Sequence, residues 1–294
     1  EIFYKCSSDG GATWSDDVQF TDNAVHDLNP SIIQTVNGTL WIFWQSNMTG
    51  NQEIFYTTSS DDGSSWSEAQ GLTVDSNPDR APSAIQTVDG RIWVAWSSYR
   101  TGYFEIFYKT YNGSSWSTAT KLTNSTNFDT SPSMLQTFDE TIRLFWSSCE
   151  NSAQATTEIF YKCSSDGGAT WSDDVQFTDN ADEDTWASTT QTDDLKIWVL
   201  WASNRTGNFD LFYRTSLVGD ITGPSSEPDG VVDNYDLIFV CNAYGDKEGD
   251  TGWNERKIAD ITGPENPPFS RRFPPNGVVD VYDLAAVGKN YGAT

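Results

Sequence analysis

The sequence predicts an all-β propeller of four-stranded antiparallel blades, followed by a small α-helical module. Three observations carry this. Glu1-Ile2-Phe3-Tyr4 returns at Glu53, Glu105 and Glu158 and again as Asp210-Leu211-Phe212-Tyr213, at offsets of 52, 52, 53 and 52 residues. Between these marks, short β-branched and aromatic runs alternate with Asn-Gly, Asp-Gly and Asp-Asp-Gly turns. After Thr215 the texture changes to two Asp- and Gly-rich segments, each leading into a short apolar run.

A fixed period near fifty marks a repeat architecture, in which each unit needs its neighbours to cover its apolar surface. Residues 1–23 are also identical to residues 158–180. That identity points to duplication and argues against a unique catalytic role for either copy.

One period resolves into four strands, A to D. Ser31-Ile32-Ile33-Gln34-Thr35 reads as strand A, and Asn37-Gly38 is a hairpin dipeptide. Leu40-Trp41-Ile42-Phe43-Trp44 is an almost unbroken apolar strand B, as expected when both faces are covered. A polar loop over 47–52 leads to strand C at Glu53-Ile54-Phe55-Tyr56, and Asp61-Asp62-Gly63 turns the chain toward strand D, opened by Trp66. No 3.6-residue periodicity supports a helical solenoid. Counted this way, the chain starts with C and D, gives three full units and ends with A, B and C. This reads as part of a larger, six- or seven-bladed propeller. The alternative is a closed four-bladed ring, with the first C and D completing the last blade and 210–215 left surplus. No initiator Met is present and the chain opens inside a repeat, so a fragment or processed form is expected.

Forty-two acidic against 17 basic residues give a net charge of −25. This argues against nucleic acid, whose phosphates need Lys/Arg surfaces. It suits calcium, a saline medium or simple solubility. No apolar run approaches the roughly 18 residues of a membrane helix, and no signal peptide is read. Five Asn-x-Ser/Thr triplets, at Asn37, Asn47, Asn112, Asn124 and Asn204, give mild support to an extracellular setting. Cys6, Cys149, Cys163 and Cys241 are too few and too scattered for a disulfide framework, so four thiols are expected.

Between strands C and D sits Ser7-x-Asp9-x-Gly11-x-Thr13-Trp14, repeated as Ser59-x-Asp61-x-Gly63-x-Ser65-Trp66 and Ser164-x-Asp166-x-Gly168-x-Thr170-Trp171. Asn112-Gly113-Ser114-Ser115-Trp116 is a degenerate form. This pattern resembles the Asp-box, or bacterial neuraminidase repeat, of sialidase-like propellers, and the resemblance covers 1–216. The residue types suit a structural turn: Asp accepts amide hydrogen bonds, Gly permits positive φ and Trp fills the gap between strands. The resemblance places these boxes opposite the active face. It would also require an arginine triad, a Tyr nucleophile with its Glu, and an acid/base Asp. The propeller holds only Arg80, Arg91, Arg100, Arg143, Arg205 and Arg214, and no Arg-Ile-Pro element. The single histidine, His26, makes a Ser-His-Asp triad or a His-clustered metal site improbable.

The opposite face gathers the D-to-A and B-to-C loops. Asp27, Asp79, Asp129 and Asp184 each precede strand A by the same short step. They read either as turn caps or as a carboxylate ring for a cation or sugar hydroxyls. Trp186 stands where other blades have Asn29, Ala81 and Ser131, and an aromatic there can stack on a sugar or pack locally. Arg80, Arg100 and Arg205, with Asn47 and Tyr103, are further candidates for ligand or solvent.

The tail repeats Asp220-Ile221-Thr222-Gly223 as Asp260-Ile261-Thr262-Gly263. Without the inserts 224–228 and 264–275, both copies read D-x-T-G-[DN]-G-V-V-D-x-Y-D. Oxygen-bearing residues at positions 1, 3, 5, 9 and 12 with Gly at 6 form a calcium-loop pattern. Asp at position 12, followed by a single helix, resembles a dockerin domain over 217–294. That resemblance implies Ca²⁺ held by Asp220, Thr222, Asp229, the Val231 carbonyl, Asp233 and Asp236. In the second loop it implies Asp260, Thr262, Asn276, the Val278 carbonyl, Asp280 and Asp283. Thr at position 3 and the long second insert depart from the family pattern, which weakens the second site. The resemblance further implies docking onto a cohesin module or surface scaffold.

The expectation is therefore a secreted or surface-attached protein of two domains, 1–216 and 217–294. The first would bind carbohydrate or serve adhesion, and the second would tether it. A sialidase-like glycoside hydrolase acting in polysaccharide or glycoconjugate breakdown, with catalytic residues partly outside this chain, and a structural surface protein are the alternatives.

Overall fold

The computed structural model describes residues 1–149, 156–192 and 196–216. Seventeen strands form five antiparallel sheets. An N-terminal hairpin pairs β1 (Phe3–Tyr4) with β2 (Val18–Gln19). Blade 1 comprises β3 (Asp27–Gln34), β4 (Leu40–Ser46), β5 (Glu53–Ser59) and β6 (Gln70–Gly71). Blade 2 comprises β7 (Asp79–Gln86), β8 (Ile92–Ser98), β9 (Glu105–Tyr111) and β10 (Thr120–Lys121). Blade 3 comprises β11 (Phe128–Gln136), β12 (Ile142–Cys149), β13 (Thr157–Ser164) and β14 (Val175–Gln176). Blade 4 holds β15 (Asp184–Gln191), β16 (Ile197–Ser203) and β17 (Asp210–Thr215). The strand count and phase match the sequence reading: among the described residues, an all-β propeller of four blades, with three strands described in the last.

Three details differ from expectation. Strand A starts about four residues early, at the aspartate. A β-bulge near its start shifts the register in every blade and places Asn29, Ala81, Ser131 and Trp186 at φ of 53, 52, 54 and 56°. Strand D is two residues long and starts after the box Trp, because that Trp turns into the gap between blades. The closed-ring alternative is not formed by the described strands. β17 pairs with β16 as the third strand of blade 4, while the hairpin packs Ile2 and Phe20 on Ile42, Trp44 and Phe55 of blade 1.

Blades stack in sequence, with inner strands adjacent in the order β3, β7, β11, β15. Each interface joins strands B and C of one blade to strands A and B of the next. Phe43 and Ile54 meet Ala84, Val94 and Trp96. Ala95 and Ile106 meet Met134, Leu144 and Trp146. Phe145 and Ile159 meet Ala187, Val199 and Trp201. The box Trp of blades 1 to 3 closes the outer part of the preceding interface. Trp116 contacts Trp41, Phe43 and Tyr56 at 5.6–6.2 Å between centroids, and Trp171 contacts Trp93 and Tyr108. Polar stitches follow the same order. The Val36, Val88 and Phe138 amides donate to Gln86, Gln136 and Gln191 of the next blade. The Ala84 and Met134 amides donate to Ser31 and Ser83 of the preceding blade.

The three full Asp-boxes share one geometry. Asp61 Oδ1 accepts from the Ser65 amide at 2.9 Å and the Ser59 hydroxyl at 2.7 Å, and Oδ2 accepts from the Ser65 hydroxyl. Asp9 and Asp166 repeat this with Thr13/Ser7 and Thr170/Ser164. In the degenerate box, two residues shorter, Asn112 Oδ1 takes the Ser114 and Ser115 amides instead.

These hydrogen bonds, led by the Thr13, Ser65 and Thr170 hydroxyls, hold the three Asp-box carboxyls at about 2. A depressed carboxyl adds stability above its ordinary range and loses it as pH falls toward the folded value. Thermal unfolding should therefore shift to lower temperature between about pH 4 and about pH 2. Asp61→Asn with Asp166→Asn should flatten that dependence in a melting series, and an unchanged slope would contradict this role.

Candidate functional site

Antiparallel order puts the start of strand A, the end of B and the start of C at one end of each blade, with the Asp-boxes at the other. Blades 1 to 3 build the first end around two carboxylates. The opening Glu of strand C, part of the repeated tetrapeptide, is the first. Glu53 is buried; it accepts from the Thr73 hydroxyl at 2.5 Å and the Asp75 amide at 2.6 Å. Thr73 in turn accepts from the Ile54 amide at 2.9 Å. Glu158 with Thr178 and Asn180 repeats this, as does Glu1 with Thr21 and Asn23. Glu105 pairs with Thr123 at 2.8 Å. The Glu–Thr spacing is 20 residues in three units and 18 where the box is shortened. Sequence reading missed this clasp, although the constant spacing of Glu and Thr was the available signal.

The second carboxylate is the aspartate that opens or nearly opens strand A. Asp27, Asp79, Asp129 and Asp184 are all at most 1% exposed. Asp79 accepts from Arg100 at 2.7 Å, and Asp184 from Arg205 at 2.8 Å and Asn180 at 2.7 Å. Asp129 is held by the Ser148 and Ser125 hydroxyls at 2.6 and 3.0 Å, and Asp27 by Asn23 at 2.6 Å. Asp129 and Asp184 tie the linker entering their blade to the end of strand B or the loop after it, as turn caps do; Asp27 holds only the linker and Asp79 only the loop, and all four side chains are withdrawn from solvent. Burial pushes Asp129, Glu53 and Glu158 above the ordinary carboxylate range, against their hydroxyl and amide donors. Any stability these raised groups add is present below the ordinary carboxylate range and is lost as pH rises through their folded values.

Arg100 and Arg205 are likewise committed. Each donates Nε to a strand-B serine, Ser98 or Ser203, and lies over the Phe107 or Phe212 ring at 4.6 and 4.4 Å. Blade 1 has Met48 at this position, without a guanidinium opposite Asp27.

Two candidate residues do reach the surface. Arg80 is exposed; its Nε donates to Gln52 and its guanidinium lies 5.1 Å over Phe104. Phe104 belongs to an aromatic group with Tyr99 at 5.2 Å and Phe128 at 6.5 Å, and Phe128 meets Tyr103 at 6.0 Å. Trp186 is 60% exposed and meets Phe209, itself 47% exposed, at 5.7 Å and a 42° tilt. Sequence reading picked Trp186 as an isolated aromatic, and its partner Phe209 went unnoticed. Phe209 and Phe104 hold the same place in the shared Arg-Thr-Gly-x-Phe loops after strands β16 and β8. All twelve expected calcium ligands, Asp220 to Asp283, lie outside the described residues.

Comparisons with known proteins agree with this architecture. Residues 1–136 match the family model of the BNR repeat-like domain. Comparison with curated proteins gives no match. Among solved structures the chain is similar to an α-L-arabinanase of Penicillium chrysogenum complexed with arabinobiose. The identity is 17% and the TM-score 0.53, over 70% of this chain and 69% of that one. An α-L-arabinofuranosidase of Fusarium graminearum with an iminosugar inhibitor gives 17% and 0.53, over 65% of this chain and 62% of that one. The NanB sialidase of Streptococcus pneumoniae gives 15% and 0.51, over 67% of this chain and 32% of that one. At these identities the likeness is one of fold: a sialidase- and arabinanase-like β-propeller.

The repeat supplies its own controls for the Asp–Arg clasp. Arg100→Met should strand the buried Asp79 charge and destabilise by about 2–4 kcal/mol, discounted for the partly exposed guanidinium. Met48→Arg should give Asp27 the missing donor and stabilise by about 1 kcal/mol. Denaturant midpoints at constant slope would read both, and equal, small effects would contradict the clasp.

Proposed function

We propose that residues 1–216 form a carbohydrate-binding module whose ligand face is the end of the blades carrying Arg80 and Trp186. One observation carries this reading: Trp186, at a bulge where other blades place Asn, Ala or Ser, holds a solvent-facing indole beside Phe209. A paired aromatic surface with an apolar face suits the C–H faces of a pyranose or furanose ring, and the aromatic group under Arg80 offers a second contact. The four aspartates act as internal struts of that face.

Residues 217–294 supply the anchor in this reading. They are a dockerin whose two Ca²⁺ loops order the helices that meet a cohesin module or surface scaffold, in a secreted or surface-attached protein. Metal binding then couples directly to folding.

The second reading is a glycoside hydrolase. It is favoured by the fold shared with an arabinanase, an arabinofuranosidase and a sialidase. Against it, the carboxylates that the blades repeat at this end, Asp27, Asp79, Asp129 and Asp184 with Glu53, Glu105 and Glu158, are buried, and a glycosidase needs a pair open to substrate.

Trp186→Ala should weaken glycan binding about ten-fold, a loss of about 1–2 kcal/mol, without shifting the melting temperature. Glycan arrays followed by calorimetry would measure it, and unchanged affinity would remove Trp186 from the site. The same protein incubated with arabinans and sialosides should release no sugar; release would establish the second reading. Calcium titration of the full chain should give binding heat and a gain of helical circular dichroism, both reversed by a chelator. Absence of both would sink the dockerin assignment.

A further inference from the structure

We propose that the seam between blades 2 and 3, at the Asp-box end, binds a neutral sugar ring through Arg91 and Glu140. A cleft of about 280 Å³ opens there, lined by Asp89, Arg91 and Val88 of blade 2 and by Glu140, Ser165 and Gly167 of blade 3. Its size is near that of the smaller ligand clefts. It lies at the opposite end of the blades from Trp186, so it is separate from the face proposed above. Two of its residues depart from the repeat. The hairpins of blades 1, 2 and 3 make the same turn, in which the Gly38, Gly90 and Glu140 amides donate to the Thr35, Thr87 and Thr137 carbonyls at 2.8 Å. The backbone there is left-handed, at φ of 85, 82 and 64°. Gly adopts this conformation freely, whereas Glu does so at a cost. An observed outlier of this kind points to a use for its side chain. No described residue gives the Glu140 carboxylate a hydrogen bond or an ion pair, so the strained position serves no polar contact within the blades.

Arg91 stands where blade 1 has Thr39. Its guanidinium is held in place: Nε donates to Asp89 at 2.6 Å, Nη2 donates to the Gly167 carbonyl at 3.1 Å, and the group lies 5.4 Å over Trp93. Nη1 has no acceptor among the described residues. The seam between blades 1 and 2 has Thr39 and Gly90 at the two places, with the shortened box, so the combination belongs to one seam. Asp89 and Asp166 also border the cleft, but their oxygens are taken by Thr87 and Arg91 and by Ser164 and Thr170. The uncommitted groups are therefore the Glu140 carboxylate, Arg91 Nη1 and the Ser165 hydroxyl. A small anion would meet Glu140, Asp89 and Asp166, and a small cation would meet Arg91. A neutral polyhydroxyl ring meets neither penalty. One hydroxyl can donate to Glu140 while its neighbour accepts from Arg91, and both bonds are charge-assisted. Val88, 68% exposed, adds an apolar contact for the ring's C–H groups.

The test uses the full chain carrying Trp186→Ala, so its outcome stands whether or not Trp186 binds glycan. Saturation-transfer NMR, with galactose, arabinose, mannose and glucose as probes, reads the binding. At least one probe should bind with a dissociation constant of about 0.1–10 mM. Glu140→Gly and Arg91→Thr, which install the residues of the sister seam, should each raise that constant at least about ten-fold. Glu140→Gly should not lower the melting temperature, because Gly takes a φ of 64° without strain. Binding lost in that variant is then not lost folding. Glycine is the counter-probe, a zwitterion that the same two charges would hold. Absence of saturable binding by any of the four sugars overturns the proposal. So does binding of glycine in place of sugar, or a sugar affinity that survives either substitution.

Discussion

A blade of this protein is apolar on both faces and can cover neither by itself. Strand B reads Leu40-Trp41-Ile42-Phe43-Trp44 because Phe43 points to the following blade and Ile42 and Trp44 to the preceding unit. Fully burying one such side chain contributes roughly 1.5–3 kcal/mol, and each interface buries several. Stability is thus carried between blades, not within them. The stitches from Gln86, Gln136 and Gln191, with those from Ser31 and Ser83, run along the same seams. They fix the register at which one sheet meets the next, a setting that apolar contact alone leaves loose.

The second constraint is electrostatic. A chain of net charge −25 still withdraws carboxylates from water in every blade. It does so by giving each a set of donors within its own blade or linker: Thr hydroxyls and amides for the glutamates, and Asn, Ser or Arg for the aspartates. The result is a buried carboxylate floor at one end of the blades, in which only Asp27 Oδ1 and Asp79 Oδ1, among the carboxylate oxygens of the described residues, are buried without a hydrogen-bond partner. Chemistry directed outward there falls to the aromatic and arginine side chains that stand above it.

Most of the fold was legible in the sequence because the repeat made it redundant. The period, the turn dipeptides and the box motif each specify the blade independently, so the strand count and phase follow. What was not legible depended on backbone detail. No residue type announced the bulge, since Asn29, Ala81, Ser131 and Trp186 share only their φ. Missing it placed the aspartates in loops and suggested an open carboxylate ring. The Glu–Thr clasp was hidden for a different reason: Glu heads an apolar tetrapeptide, and its partner lies 18–20 residues on, across an entire hairpin. The pairing of Trp186 with Phe209 joins the bulge of β15 to the loop after β16, which strand patterns do not link.

The bulge has a consequence for how such a protein changes over generations. At the bulges of blades 2, 3 and 4 the backbone is secured by its amide, which reaches Gln45, Ser97 or Ser147 on the preceding blade whether the residue is Ala, Ser or Trp. In blade 1 the side chain takes a share instead, Asn29 donating its amide to Gln45 at 2.9 Å. Blades 2 to 4 therefore each offer one position where residues that tolerate a positive φ can be exchanged while the amide hydrogen bond to the preceding blade is kept. Duplication multiplies those positions in step with the blades. A repeat of this kind can acquire a new binding preference by a single substitution, long before its copies diverge elsewhere.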